Sequence, residues 1–351
     1  GDIGRDFMDW ATGRGDRGRR DDGRRDRDGR GRDGRDRAGR DEHGVPRPPG
    51  PVPRPTPPIR YTRDPPTPPR KDLDGVRVDR GPIPIRERKG PKIPEKDKIQ
   101  IDLSGYFTGI RNQDGANACS AFAASSIFEY ILHRGYNRPN QIISPLFLWY
   151  HARKVDNTQL HNVGISGTNA MQRLFEKGCC FEDRWSFEDF STGKFQVPPD
   201  INAERDALTK KIVEFKSLDP KDTDQWVHEL SDKNPIWIAI KAPDEWKGSY
   251  RNRLFERFGS YQATGGGYHA IVVVGYHSHY PYDGKGIKAF KIRNSWDTNW
   301  GENGYTWVPA ETLTYHIMID RNAPLVIKGW KKGDYGQLRE LEKRMSLSKE
   351  N

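Results

Sequence analysis

Residues 287–309, "IKAFKIRNSWDTNWGENGYTWVP", read as a strand (287–296), a turn rich in Asp, Asn and Gly, and a second strand (304–309). Two further strands are predicted upstream, at "PIWIAIKAP" (235–243) and "YHAIVVVGYHS" (268–278). The first half of the ordered chain has a different rhythm. After a short alternating stretch, "IQIDLSGYF" (99–107), come three segments with helical apolar faces. They are "ACSAFAASSIFEYILHRG" (118–135), with Gly135 expected as its C-cap, "SPLFLWYHARKV" (144–155) and "GTNAMQRLFEKG" (167–178). The last two each have a Ser or Thr to cap them. Helices first and strands later predict an α+β fold with a helical lobe and a sheet or barrel lobe. The cleft between two such lobes is a common place for an active site.

Order does not extend over the whole chain. Its 351 residues carry a net charge of +10. Residues 1–100 hold 27 Lys+Arg against 19 Asp+Glu, so +8 of that charge sits there and the remainder is nearly neutral. Residues 1–44 are expected to be a disordered Gly/Arg/Asp-rich tail, because no apolar periodicity exists from which to build a core. Residues 45–98 are expected to be a Pro-rich, semi-extended linker. The folded domain is expected over 99–325, followed by a charged extension over 326–351. Arg-Gly-rich tails can contact RNA or other polyanions, but here aspartates nearly balance arginines and residues 11–44 lack aromatics. Any such contact is therefore expected to be weak. No run of about 18 apolar residues occurs, so no membrane span is predicted. Three cysteines make no disulfide framework, and no Asn-x-Ser/Thr sequon is present. Both lean towards an intracellular setting, with a removed signal peptide still compatible.

Cys119 stands where a turn-rich segment, "NQDGAN" (112–117), gives way to the first predicted helix. At a helix's first turn, unpaired N–H groups and the dipole favour an anion, and a thiolate is one. A cysteine nucleophile also needs a base and a group to orient that base. His269 lies where a glycine run feeds a hydrophobic strand, and Asn294 lies at the end of another. Adjacent strands would bring the two together.

Over about residues 100–310 the chain resembles the papain-like cysteine peptidases, on three segments in family order. "IRNQDGANACSAFA" carries Gln113 six residues before Cys119. "YHAIVVVGY" is similar to the family's histidine strand. "KIRNSWDTNWGENGY" is similar to its asparagine segment, including Trp296. The resemblance implies a two-lobe fold and hydrolysis of peptide bonds in peptide or protein substrates, without a cofactor or metal. It implies Cys119 as nucleophile, His269 as its acid–base partner, Asn294 as the group that orients His269, and Trp296 as a shield over that pair. It implies an oxyanion hole from the Gln113 amide and the Cys119 N–H. Gly167, in "GISGTN", would match the strand that binds substrate backbone, and Tyr268 and Ala270 would shape the cleft. "SPLFLWYHAR" and the absent disulfides look more like the microbial or intracellular branches.

The sequence also departs from the family. Ser120 replaces an aromatic after the nucleophile. The cysteine three residues before the nucleophile is Ala116, and its bridge partner in the glycine-rich segment is Ile165. The family's helical inhibitory prosegment has no counterpart in residues 1–98. Set beside these motifs, Cys179 and Cys180 read as packing residues, and His277 with His279 supply too few ligands for a metal. The competing function class is a catalytically silent or retooled papain-like scaffold whose tail binds RNA or protein.

Overall fold

The computed structural model describes residues 91–94, 98–242, 268–282, 284–317 and 323–332. The tail expected at 1–44, nearly all of the linker at 45–98 and most of the extension at 326–351 lie outside the described residues.

The helical half begins with α1 (Cys119–Tyr136), followed by α2 (Pro145–Val155) and α3 (Gly167–Glu176). Every residue of α1 from Cys119 to Tyr130 is buried. Its Ala- and Ser-rich face lets neighbouring backbone approach closely, so α1 packs against α2 and α3 as well as against the sheet. It runs through Gly135 and stops at Asn137, whose left-handed φ of 49° forms the C-cap. The C-cap thus falls two residues beyond the glycine expected from the sequence. Ser144 caps α2 by accepting the Phe147 N–H at 3.0 Å, with Pro145 at the first helical position. Ser166 caps α3 by accepting the Asn169 N–H at 3.1 Å.

The strand half is antiparallel throughout. In chain order its strands are β1 (Gln100–Asp102), β2 (Lys210–Ile212), β3 (Phe215–Ser217), β4 (Ile236–Lys241), β5 (Tyr268–Tyr282), β6 (Lys285–Arg293), β7 (Tyr305–Pro309), β8 (Leu325–Ile327) and β9 (Trp330–Lys332). The main sheet has the order β3-β8-β4-β5-β6-β7, with β1 added to β5. β2 and β9 form a separate ribbon. Three short α-helices, α4 (Ile201–Leu208), α5 (Thr223–Ser231) and α6 (Ala310–His316), and three 3-10 turns (Ser104–Tyr106, Phe187–Thr192 and Lys194–Gln196) complete the described elements. β8 inserts between β3 and β4, and β9 pairs with β2, so the fold continues to Lys332. This moves the domain boundary past the expected 325.

α1 lies between the two halves. It contacts β4 and β5 on one side and α2 and α3 on the other. Its N-terminus therefore faces the start of β5, and this contact creates the site. No helix among the described residues is long and apolar enough to cross a membrane.

Candidate active site

Cys119 is the first residue of α1. The residue before it, Ala118, supplies no side-chain cap, so the first-turn N–H groups meet no side-chain acceptor there. The Cys119 Sγ accepts the backbone N–H of Ala270 at 3.4 Å, which fixes the thiol beside β5 one residue from His269. Both Cys119 and His269 are buried.

His269 is held by Asn294, the residue that follows the last one of β6. The imidazole Nε2 donates to Asn294 Oδ1 at 2.7 Å, since that oxygen also accepts the Ser295 N–H at 2.8 Å. With Nε2 committed as donor, Nδ1 is the basic nitrogen of the neutral ring. The Trp296 indole stacks on the imidazole at 4.3 Å between ring centroids, with planes 25° apart. Burial pushes the His269 pKa down to about 4, partly offset by the Asn294 hydrogen bond. Burial thus favours the neutral ring, the form that can accept a proton.

Gln113 is brought into this cluster by pairing between distant segments. Its N–H donates to Ser295 O at 2.9 Å, its Oε1 accepts the Ser295 hydroxyl at 2.7 Å, and its Nε2 donates to Ala116 O at 2.8 Å. Asn112 bridges Trp296 in the same ladder. Behind it, Arg111 forms a 2.6 Å ion pair with Glu129, which is fully buried in α1. Glu129 also accepts the Ile143 N–H at 3.0 Å and the Thr108 hydroxyl. Arg111 reaches Glu182 at 3.5 Å as well, and burial raises the pKa of that carboxyl.

Of the expected site residues, Cys119, His269, Asn294, Gln113, Trp296 and Ala270 converge. Tyr268, at the start of β5, is 37% exposed at the edge of the cluster. Gly167 is different. It opens α3 instead of lying on a strand, and a Cβ there would sit 2.4 Å from the ring of Trp237. Its missing side chain is accounted for by packing under that ring. The extended residue at this point is Ser166, the N-cap of α3, at φ −75° and ψ 155°. Sequence reasoning passed over Ser295, which orients both Gln113 and Asn294. Its signal was its place in "RNSW", directly after the asparagine.

None of the three cysteines forms a disulfide. Cys179 and Cys180 are buried, and burial pushes both thiols far above their ordinary range. Cys179 donates to Ser144 O at 3.2 Å, as a packed core thiol does.

A helical half, an antiparallel sheet and a cysteine at the helix mouth beside a buried His–Asn pair together define the class of cysteine peptidase folds. The model of the papain family of cysteine proteases matches residues 96–325, and the chain belongs to that family. It is 26% identical over 220 residues to an uncharacterized peptidase C1-like protein of Acanthamoeba polyphaga mimivirus, covering 60% of this chain and 66% of that protein. It is 28% identical over 250 residues to cathepsin J of Mus musculus, covering 69% of each. Among solved structures it is similar to xylellain, a cysteine protease from Xylella fastidiosa. That match has a TM-score of 0.61 and 24% identity over 74% of this chain and 97% of the other. The chain thus spans just under two thirds of the mimivirus relative's length.

Proposed function

We propose that this protein is a thiol peptidase that hydrolyses peptide bonds through Cys119, His269 and Asn294, with Gln113 in the oxyanion hole. The observation that carries the reading is the His269–Asn294 pair, buried beneath Trp296 and one residue from the amide that holds the Cys119 thiol.

The chemistry follows from that arrangement. His269 Nδ1 takes the thiol proton, and Asn294 keeps the ring in the tautomer that can do so. The resulting thiolate is stabilised by the imidazolium and by the α1 N-terminus. It attacks the substrate carbonyl. The oxyanion that forms accepts hydrogen bonds from the Cys119 N–H and from the Gln113 Nε2 hydrogen not given to Ala116. His269 then returns the proton to the leaving amine, and an acyl-enzyme remains. In the second half-reaction His269 takes a proton from water, which attacks the thioester and frees Cys119.

The test combines kinetics with labelling. A cysteine-directed electrophile followed by mass mapping is expected to modify Cys119 and spare Cys179 and Cys180. Cys119→Ala is expected to abolish hydrolysis of a peptide library while leaving the protein folded. Hydrolysis by Cys119→Ala at the parental rate would overturn the assignment.

A further inference from the structure

The turn that delivers Cys119 is held on its outer side by a reciprocal amide clasp. The Asn117 N–H donates to Asn162 Oδ1 at 2.8 Å. The Asn117 Nδ2 donates to Asn162 O at 2.8 Å. The Asn162 Nδ2 donates to Gly115 O at 2.9 Å. These three bonds join residues 115–117, which end two residues before the nucleophile, to a loop 45 residues downstream. Gln113 holds the inner side of the same turn through Ala116. Asp114 within it is in the left-handed region, at φ 49°. Cys119 has no side-chain cap of its own. The Ala270 N–H holds the thiol from the β5 side, and the turn, fixed from outside, sets the direction of the Cys119 N–H.

The Asn162 loop is itself anchored to α2. The Trp149 Nε1 donates to Val163 O at 2.9 Å. Arg153 donates to Gln159 O and His161 O, both at 2.7 Å, and to Phe195 O at 2.6 Å. Arg153 is fully buried, with its guanidinium 3.7 Å over the Trp149 ring, and burial lowers its pKa to about 9. Burying a cation among backbone carbonyls carries a desolvation cost. What it secures is the loop 159–163, and hence the position of Asn162.

We infer that Asn117 and Asn162 are positioning residues of the peptidase: their clasp holds the Cys119 N–H and thiol in attacking geometry. The inference rests on the peptidase reading above. A displacement of about 1 Å at a reacting atom can cost about 100-fold in rate, and a helix N-terminus tethered only on its inner side has that freedom.

The test uses the full chain and counts active sites by titration with an irreversible cysteine electrophile. Asn162→Ala removes two of the three bonds, and kcat per titrated site is expected to fall about 10- to 100-fold. Asn117→Ala removes one bond, and a fall of about 3- to 10-fold is expected. Because the two residues act as one clasp, the double variant is expected to lose less than the product of the single losses. A purely structural role would lower the number of titratable sites and leave kcat per site at the parental value, and that result overturns the proposal. If Asn162→Ala does not fold, Asn162→Asp keeps the shape and the acceptor but not the donor to Gly115. It is expected to lose kcat per site, and parental kcat in that variant overturns the proposal. An active parent with unchanged variants defeats this inference alone. A parent that neither hydrolyses peptide nor is labelled at Cys119 defeats the peptidase reading and this inference with it.

Discussion

The Ser295 hydroxyl donates to Gln113 Oε1 at 2.7 Å, joining residues 182 positions apart in the chain. The bond ties the Gln113 amide to the segment that carries Asn294, so the group proposed to bind the oxyanion and the group that orients His269 move together. Ser295→Ala keeps the Ser295 N–H bond to Asn294 Oδ1 and the Gln113 N–H bond to Ser295 O, and removes only the hold on the Gln113 side chain. A neutral hydrogen bond of this kind contributes about 1 kcal/mol. The expected outcome is a fall in kcat of about 5- to 10-fold with KM nearly unchanged, because an oxyanion donor acts on the transition state. Steady-state kinetics check it, and a change confined to KM would place Gln113 on substrate instead.

His269 gives a prediction about pH. In Cys119→Ala no thiolate faces the ring, so burial, partly offset by the Asn294 hydrogen bond, governs it. Its pKa then stands at about 4, below the ordinary His value of about 6.5. The folded state holds the ring neutral while the unfolded state binds the proton more readily. The stability this group contributes is complete above about pH 6.5 and is lost as pH falls towards about 4. His151 is also lowered by burial and adds to the same acid loss. Comparing urea unfolding at neutral and acid pH for Cys119→Ala and for Cys119→Ala with His269→Gln isolates the His269 share. An NMR titration of the His269 ring in Cys119→Ala with a midpoint at or above the ordinary value would contradict the burial argument.

Gly167 separates packing from substrate contact. Alanine favours a helix interior over glycine by about 1 kcal/mol, and Gly167 opens α3. The Trp237 ring opposes that gain, with three of its carbons 2.4 to 2.8 Å from where a Cβ would sit. Trp237 is fully buried, so the ring has little room to retreat. Overpacking of this kind costs about 1–3 kcal/mol. Gly167→Ala is therefore expected to be destabilising in chemical denaturation, with KM little changed in the protein that remains folded.

Sequence pattern reached most of the architecture wherever an element was long enough to show a period. α1 to α3 and β4 to β7 were legible for that reason. β2, β3, β8 and β9 have three residues each, too few for alternation to register, and they are strands because partners elsewhere in the chain pair with them. The C-cap of α1 was misplaced because Gly135 looked like a stop. Asn137 took that role, since asparagine tolerates the left-handed region. In the site, the residues at fixed motif spacings were legible: Gln113, Cys119, His269, Asn294 and Trp296. Those that hold them in place were not. Ser295, Asn162, Arg153 and Glu129 act through contacts made by the fold, and no spacing along the chain marks them.

Glu129 offers the last test, because it ties the Gln113 segment to α1. It is fully buried, and Arg111 is its ion-pair partner at 2.6 Å, with the Ile143 N–H and the Thr108 hydroxyl as further donors. Arg111 also donates to Ile143 O at 3.2 Å and lies 5.3 Å above the Phe122 ring. Replacing it with leucine leaves a buried carboxylate without its cation, and breaking a buried pair from one side costs about 3–5 kcal/mol. Arg111 is itself 21% exposed on its side chain, so water can reach part of the site and the lower end of that range is expected. Arg111→Leu with Glu129→Leu removes the fully buried carboxylate together with its cation and is expected to recover part of the loss, although Glu182 still loses Arg111. Denaturant unfolding of the two single variants and the double variant measures the coupling. Additive losses would show that Arg111 and Glu129 stabilise the fold independently.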